Sequence, residues 1–428
     1  MEEWLKIKLE KANDLIEKEE HNEAIRVFIE SLELTNVADE LLQIRNSLAY
    51  LLQTLGDHDE AIKHYTAAIS VIKEKGELDS LDTENLAHIY SSLGNSYLLI
   101  GEMEKASESF LVATKNYDKL VDENENIKAF LALNHFNLAS IFIKKDDKYK
   151  AKKELLESIK LYNELIAADQ LNFLPYAANS ETELAQVYED DDDYHTAYIH
   201  LKKSADLFKR LSKKEPGKYL AYLAATYNNL AINQKQLDYN DKAVQYFEES
   251  LKIYKVLNEK SEANFSPFLA ATYNSLGVLY TDLENKDKGI EYYNEALKIY
   301  TSLSDRSPGE YTHYKATCLH NLGVIHDEKK DYDNALSYYM KAMEIRKELA
   351  EKEESSFTLD LCVTLLNIVT LYHTRMEIDQ NMELQQPAID IIEDVERRLF
   401  YIPDDMPVIK SMKSDVEYFK EFFTEISY

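Results

Sequence analysis

Glycine and proline are scarce in this chain, nine and seven in 428 residues. Ordinary usage of about 7% and about 5% would supply roughly three times as many of the pair. Sandwiches, barrels and propellers turn every ten residues or so and draw on Gly, Pro, Asn and Asp to do it. Those classes are excluded. No G-x-G-x-x-G or G-x-x-x-x-G-K-[ST] string occurs, which removes the glycine-rich phosphate loops of dinucleotide and P-loop enzymes. Only two cysteines are present, Cys318 and Cys362, 44 residues apart, so there is no disulfide framework and no CxxC pair. Positive charge is also short: 49 Lys plus Arg against 78 Asp plus Glu, a formal charge of −29. That balance opposes nucleic acid and anionic membranes and favours a partner with basic character. The N-terminus is charged from residue 2 without an apolar signal segment, and no run approaches the length of a membrane span. A reducing cytoplasm is the expected setting. The hydrophobic fraction of 45% is ordinary, so acidity does not signal disorder. Helix with few loops remains.

What is present is a repeat. A small residue preceded by Leu recurs at Ala49, Gly94, Ala139, Ala185, Ala231, Gly277 and Gly323; Val369, after Ile368, replaces it in the last copy, and an earlier copy sits at Ala12. After a first step of 37, the steps are 45 or 46 residues. Twelve residues after each small residue comes a second one, at Ala24, Ala61, Ala106, Ala151, Ala197, Ala243, Gly289 and Ala335. Four further on sits a bulky residue: Phe28, Tyr65, Phe110, Leu155, Leu201, Phe247, Tyr293 and Tyr339. Small residues let two helices approach, and the large one fills the adjoining hole.

This L-[G/A]-x-x-aromatic then A-x-x-x-[F/Y]-x-x-A pattern resembles the tetratricopeptide repeat over about residues 6–395. The unit is longer than the common 34 residues and is similar to kinesin-light-chain-like and bacterial signalling arrays. The resemblance implies an all-α, right-handed superhelix of about nine helix pairs over residues 1–400. A capping segment, 401–428, would close it. The extra 11 or 12 residues per copy lie between one helix pair and the next. They read as longer helices, of roughly 18 residues and about 27 Å, plus a short loop holding Pro175, Pro216, Pro267 or Pro308.

The resemblance also places asparagines in a concave peptide groove: Asn137, Asn229, Asn321 and Asn367 two residues before the small position, Asn46, Asn228 and Asn274 three before it, and Asn95 one after. A carboxamide offers both a donor and an acceptor to a peptide unit, each bond contributing about 0.5–1.5 kcal/mol. The same side chains could instead bond neighbouring helices. Around Asn229 and Asn321 stand Ala225, Ile232, Lys235, Thr317, Val324, Asp327 and Glu328, a mixed and partly acidic wall that suits no free carboxylate. The acidic run Glu189–Asp193 lacks the spacing of a calcium loop and reads as a solvated turn. His195 and His200 are five apart, His320 and His326 six apart; neither makes an i, i+4 metal pair. No nucleophile, base and orienting acid are arranged for covalent chemistry, so no catalytic residue, metal or cofactor is expected. The expected function is a non-catalytic scaffold for a protein or peptide segment. The alternative is a ligand-responsive regulator of a separate effector such as a protease.

Overall fold

The computed structural model describes residues 3–121, 125–352, 354–380, 382–400, 402–403 and 406–425. Nineteen α-helices and two 3₁₀ turns, with no strand, make up the regular structure of the described residues. The chain divides into two compact units, residues 1–219 and 220–428. The first holds α1 (Glu3–Glu17), α2 (His21–Leu34), α3 (Ala38–Thr54), α4 (His58–Glu74), α5 (Ser80–Leu99), α6 (Met103–Tyr117), α7 (Glu125–Lys144), α8 (Lys148–Ala167), α9 (Leu174–Glu189) and α10 (Tyr194–Lys214). The boundary falls inside α11 (Pro216–Gln236). The second unit continues with α12 (Asn240–Lys260), α13 (Glu262–Asp282), α14 (Lys286–Arg306), α15 (Pro308–Glu328), α16 (Tyr332–Lys352), α17 (Glu354–Asp379), α18 (Gln385–Leu399) and α19 (Pro407–Glu425). Odd-numbered helices to α17 are the first, or A, helices of nine pairs, even-numbered ones the second, or B, helices, and α19 follows them.

Within a pair the small–large contact is tight. A Cβ built on Gly94 would lie 2.9 Å from the Phe110 ring, on Gly277 2.7 Å from Tyr293, and on Gly323 2.6 Å from Tyr339. All three rings are buried. Glycine is therefore a packing requirement at these helix positions, because the B-helix ring occupies the place of a side chain.

The turn from A to B is the same eight times. Seven residues after the small anchor the chain takes a left-handed conformation, at Glu19, Gly56, Gly101, Asp146, Asp192, Asp238, Glu284 and Lys330. Paired bonds close it, for example Asn285 N–H to Tyr280 O at 2.9 Å and Glu284 N–H to Thr281 O at 2.9 Å. This is a Schellman ending, yet glycine serves it only at Gly56 and Gly101. A Cβ in this conformation costs about 1–2 kcal/mol, against glycine's extra unfolded-state freedom. Glu284→Gly and Lys330→Gly are each expected to raise stability by about 0.5–1 kcal/mol, read as a higher urea midpoint.

Between pairs the structure departs from the expected loops. Helices α10 to α16 are each 21 residues long. Single residues, Glu215, Ser261 and Ser307, separate α10 from α11, α12 from α13 and α14 from α15. The added residues of the long repeat go into helix. Pro216 and Pro308 begin α11 and α15, and Pro175 is the second residue of α9. A first-turn N–H has no intrahelical partner to lose, so proline is tolerated there. Gly217 and Gly309 are accordingly helical residues, not turns. Pro267 stands inside α13.

Within Phe357–Asp379 an 18-residue window has a mean hydropathy of 1.3, long and apolar enough to cross a membrane by composition, but 56% of that window is buried inside the protein. Helices α16, α18 and α19 pack against it. The capping helix buries Ile409, Met412, Val416, Phe419 and Phe423. Its Phe422 ring meets His373 edge-on at 4.1 Å between centroids. Gln385, at the position that holds a bulky residue in the other repeats, donates to Phe423 O at 2.8 Å.

Candidate functional site

Consecutive A helices touch, and polar bonds stitch them. Gln53 Nε2 on α3 donates to Ser92 O and Ser96 Oγ on α5, each at 3.0 Å. Ser91 Oγ donates to Asn134 Oδ1 on α7 at 3.0 Å. In the second unit, Thr364 Oγ1 lies 3.2 Å from His320 Nδ1.

All eight candidate asparagines lie on A helices and are half-buried. In the first unit Asn137 Nδ2 donates to Asn95 Oδ1 at 3.2 Å. Asn46 lines a cavity of about 510 Å³ with Asn13, His21, Tyr50, His88 and Ser92. In the second unit Asn228 Nδ2 donates to Thr272 Oγ1 at 2.9 Å, and its Oδ1 is buried without a partner. Asn274 Oδ1 accepts from the Cys318 thiol at 3.6 Å. Asn321 and Asn367 stand at the hydroxyls of Tyr293 and Tyr339. The row is thus partly engaged within the protein: several amides spend one polar atom on a neighbouring helix and keep the other.

Two helical turns before the row lies a second one that residue spacing alone did not reveal. Nine residues ahead of the small anchor are Phe130, Tyr176, Tyr222, Phe268 and Tyr314, between 41 and 52% exposed. Seven residues is about two turns, so each shares a helix face with the position two before the anchor. Four of these rings rest on a buried B-helix tyrosine of the preceding pair: Phe130 on Tyr117 at 6.0 Å, Tyr176 on Tyr162 at 5.7 Å, Phe268 on Tyr254 at 5.7 Å and Tyr314 on Tyr300 at 5.1 Å. The planes lie within 26° of parallel. The signal is the same 46-residue step, masked because the prolines place these positions in or beside expected loops.

At the last pair the stack is replaced. The equivalent residues are Arg346 on α16 and Asp360 on α17. Arg346 is 5% exposed, and Nη1 donates to Asp360 O at 2.8 Å and to Thr364 Oγ1 at 2.5 Å. The Asp360 side chain is exposed, so the guanidinium is buried on main-chain and hydroxyl oxygens. Burial, with the charge of Arg346, pushes the neighbouring His320 down to about 3. Near this point a cleft of about 1220 Å³ is lined by Met343, Lys347, Leu361, Asp394, Arg397 and Arg398.

The remaining candidates are structural. Asp191 pairs with Lys148 at 3.1 Å and also with Lys152, while Asp193 caps α10 by accepting from Thr196 N–H at 3.0 Å. Both thiols are buried and unpaired in disulfides, and burial pushes each up to about 12. His200 Nδ1 meets the buried Glu181 carboxylate at 2.5 Å. No three His, Cys, Asp or Glu side chains converge as a metal site among the described residues.

Stacked α-helical pairs with a recurring polar and aromatic A-helix face define an α-solenoid repeat protein. A tetratricopeptide-repeat family model matches residues 5–74, 40–119, 176–255 and 268–348, and a second such model matches 133–165. The chain belongs to the tetratricopeptide-repeat family. No curated protein matches it in sequence. Among solved structures it is similar to the apo form of RapI, at 18% identity over 93% of this chain and 98% of that one, with a TM-score of 0.56. It also aligns with the apo form of the quorum sensor NprR from B. thuringiensis (14% identity, 79% and 86% of the two chains, TM-score 0.45). BtubC (BKLC) from P. vanneervenii aligns at 22% identity over 58% of this chain and 92% of its own, TM-score 0.43. The likeness to RapI is one of fold.

Proposed function

We propose that the chain is a non-catalytic binding protein that holds an extended protein segment along the A-helix face of its second unit. The observation that carries this is the half-buried asparagine row Asn229, Asn274, Asn321 and Asn367, one on each successive A helix. Adjacent packed helices lie about 8–10 Å apart, close to the rise of three residues in an extended chain, about 10 Å. Amides at that interval meet every third peptide unit of a segment crossing the helices. Family membership supports a protein partner in general; the acidic composition supports one with basic character.

The test begins with affinity purification from the native host and mass spectrometry, to obtain a partner. The Asn229→Ala, Asn321→Ala double variant should then bind that partner about five- to one-hundred-and-sixty-fold more weakly, since two bonds of about 0.5–1.5 kcal/mol are lost. Unchanged affinity with unchanged helicity would remove the groove reading. Solution scattering with and without the partner separates a scaffold, whose profile holds, from a ligand-responsive regulator, whose profile changes.

A further inference from the structure

We infer that the cavity among the first helices of the first unit is a binding site for a compact, uncharged aromatic amide. It is a different site from the groove above, which belongs to the second unit.

The cavity, of about 510 Å³, is walled by α1, α2, α3 and α5. Small-molecule sites usually enclose about 300–1,000 Å³. Twelve residues line it, and none is Asp, Glu, Lys or Arg. With 30% of the chain charged, about four would be expected. The larger cleft of the second unit, by contrast, presents Lys347, Asp394, Arg397 and Arg398. His88, on the α5 side, adds no charge at neutral pH, because burial holds its imidazole below the ordinary range. A charged ligand would lose hydration here and gain no counter-ion.

The lining suits a ring. Phe28 and Leu51 are buried, while Tyr50 and Leu55 are exposed, so apolar surface runs from a closed interior to an open rim. Aromatic walls favour a flat partner, stacked or edge-on.

The polar groups divide into two sets. Those on the α5 side are spent within the protein. His88 Nδ1 lies 2.7 Å from the Tyr117 hydroxyl and Nε2 3.4 Å from Glu84 Oε1. Ser92 O accepts from Gln53 Nε2 and Ser96 Oγ. Those on the α1 and α3 side are free. The Asn13 and Asn46 amides and the Ser47 hydroxyl have no hydrogen-bond partner among the described residues. A carboxamide offers both a donor and an acceptor, which another amide complements. In the third and fourth pairs the polar row is already joined to itself, Ser91 donating to Asn134 and Asn137 to Asn95. The free amides Asn13 and Asn46 thus favour a compact ligand over an extended segment.

The experiment titrates the full chain with N-acetyl-tryptophanamide, an uncharged aromatic amide, by isothermal calorimetry. About 18 non-hydrogen atoms at the efficiency of drug-sized ligands give a dissociation constant of about 0.1 mM. At about pH 6.5 tryptophanamide carries an ammonium and N-acetyl-tryptophan a carboxylate. Each should bind at least about tenfold more weakly. Asn46→Leu keeps bulk and removes the amide, and Tyr50→Ala removes an exposed ring. Each should weaken binding about two- to tenfold, with unchanged helicity. A five-residue uncharged peptide with tryptophan at its centre should bind no tighter. No saturation at about ten times the expected constant, equal binding of either charged analogue, indifference to both variants, or tighter binding of the peptide overturns the inference. The Asn229→Ala, Asn321→Ala protein should bind the compound as the native chain does; loss there would put the compound in the second unit and overturn the inference too. That variant's affinity for the native partner tests the groove, so either reading can fail alone.

Discussion

Truncating Tyr339 to alanine is expected to lower stability by about 3–5 kcal/mol. The ring is 1% exposed, and it occupies the space that Gly323 vacates on the facing helix. Removing it leaves a void bounded by a glycine, which has no side chain to move in. The converse change is equally severe. Leucine at Gly323 would place its Cβ 2.6 Å from the ring before the rest of the side chain is counted. Overpacking of this kind costs about 1–3 kcal/mol or more. Urea unfolding followed by helical circular dichroism measures both variants. Each repeat is stabilised mainly by its neighbours, so the eighth pair and the elements after it should melt ahead of the rest, giving a biphasic curve. A midpoint shift no larger than that of Tyr314→Ala, at a half-exposed ring, would show that the small–large contact is not what holds the pair together.

The double change Arg346→Tyr, Asp360→Phe is expected to stabilise the protein by about 1–4 kcal/mol, the range seen when a buried charge gives way to well-packed apolar groups. It restores the ring-on-ring contact found at Tyr254–Phe268 and Tyr300–Tyr314. The native guanidinium is buried and held by a main-chain oxygen and a hydroxyl, with the nearby carboxylate left in solvent. Arg346→Ala should go the other way, because it leaves a cavity and removes the donors that Arg346 supplies to Asp360 O and Thr364 Oγ1. Thermal and urea midpoints of the three proteins test the ordering. A double variant less stable than the native chain would mean that the two bonds of Arg346 outweigh the stack.

Much of this architecture is legible in residue spacing. The 45- and 46-residue steps mark successive pairs, and the sixteen-residue interval from small anchor to ring, Gly94 to Phe110 or Gly323 to Tyr339, is a contact within one pair. A fixed spacing suffices to find such contacts. The aromatic stacks are not legible in this way, because Tyr254 and Phe268 belong to different pairs separated by a helix boundary. Prolines suggest loops there, and only the structure shows that Pro308 starts a helix after a single residue. The asparagine positions are evident from their period, but their bonds are not. Whether an amide faces a neighbour or open space depends on which residue the next helix brings opposite, such as Thr272 for Asn228.

The single-residue joints between helices also make the second unit a train of levers. At Ser261 the backbone is set at φ −154°, ψ 85°, and at Ser307 at φ −139°, ψ 76°. Two torsions at each joint orient everything that follows. A 21-residue helix is about 31 Å long, so a change of about ten degrees at its root sweeps the far end through about 5 Å. That is about half the spacing of neighbouring packed helices, about 8–10 Å. The register of the A-helix asparagines against a bound segment is therefore governed by two serines that contribute no amide to it.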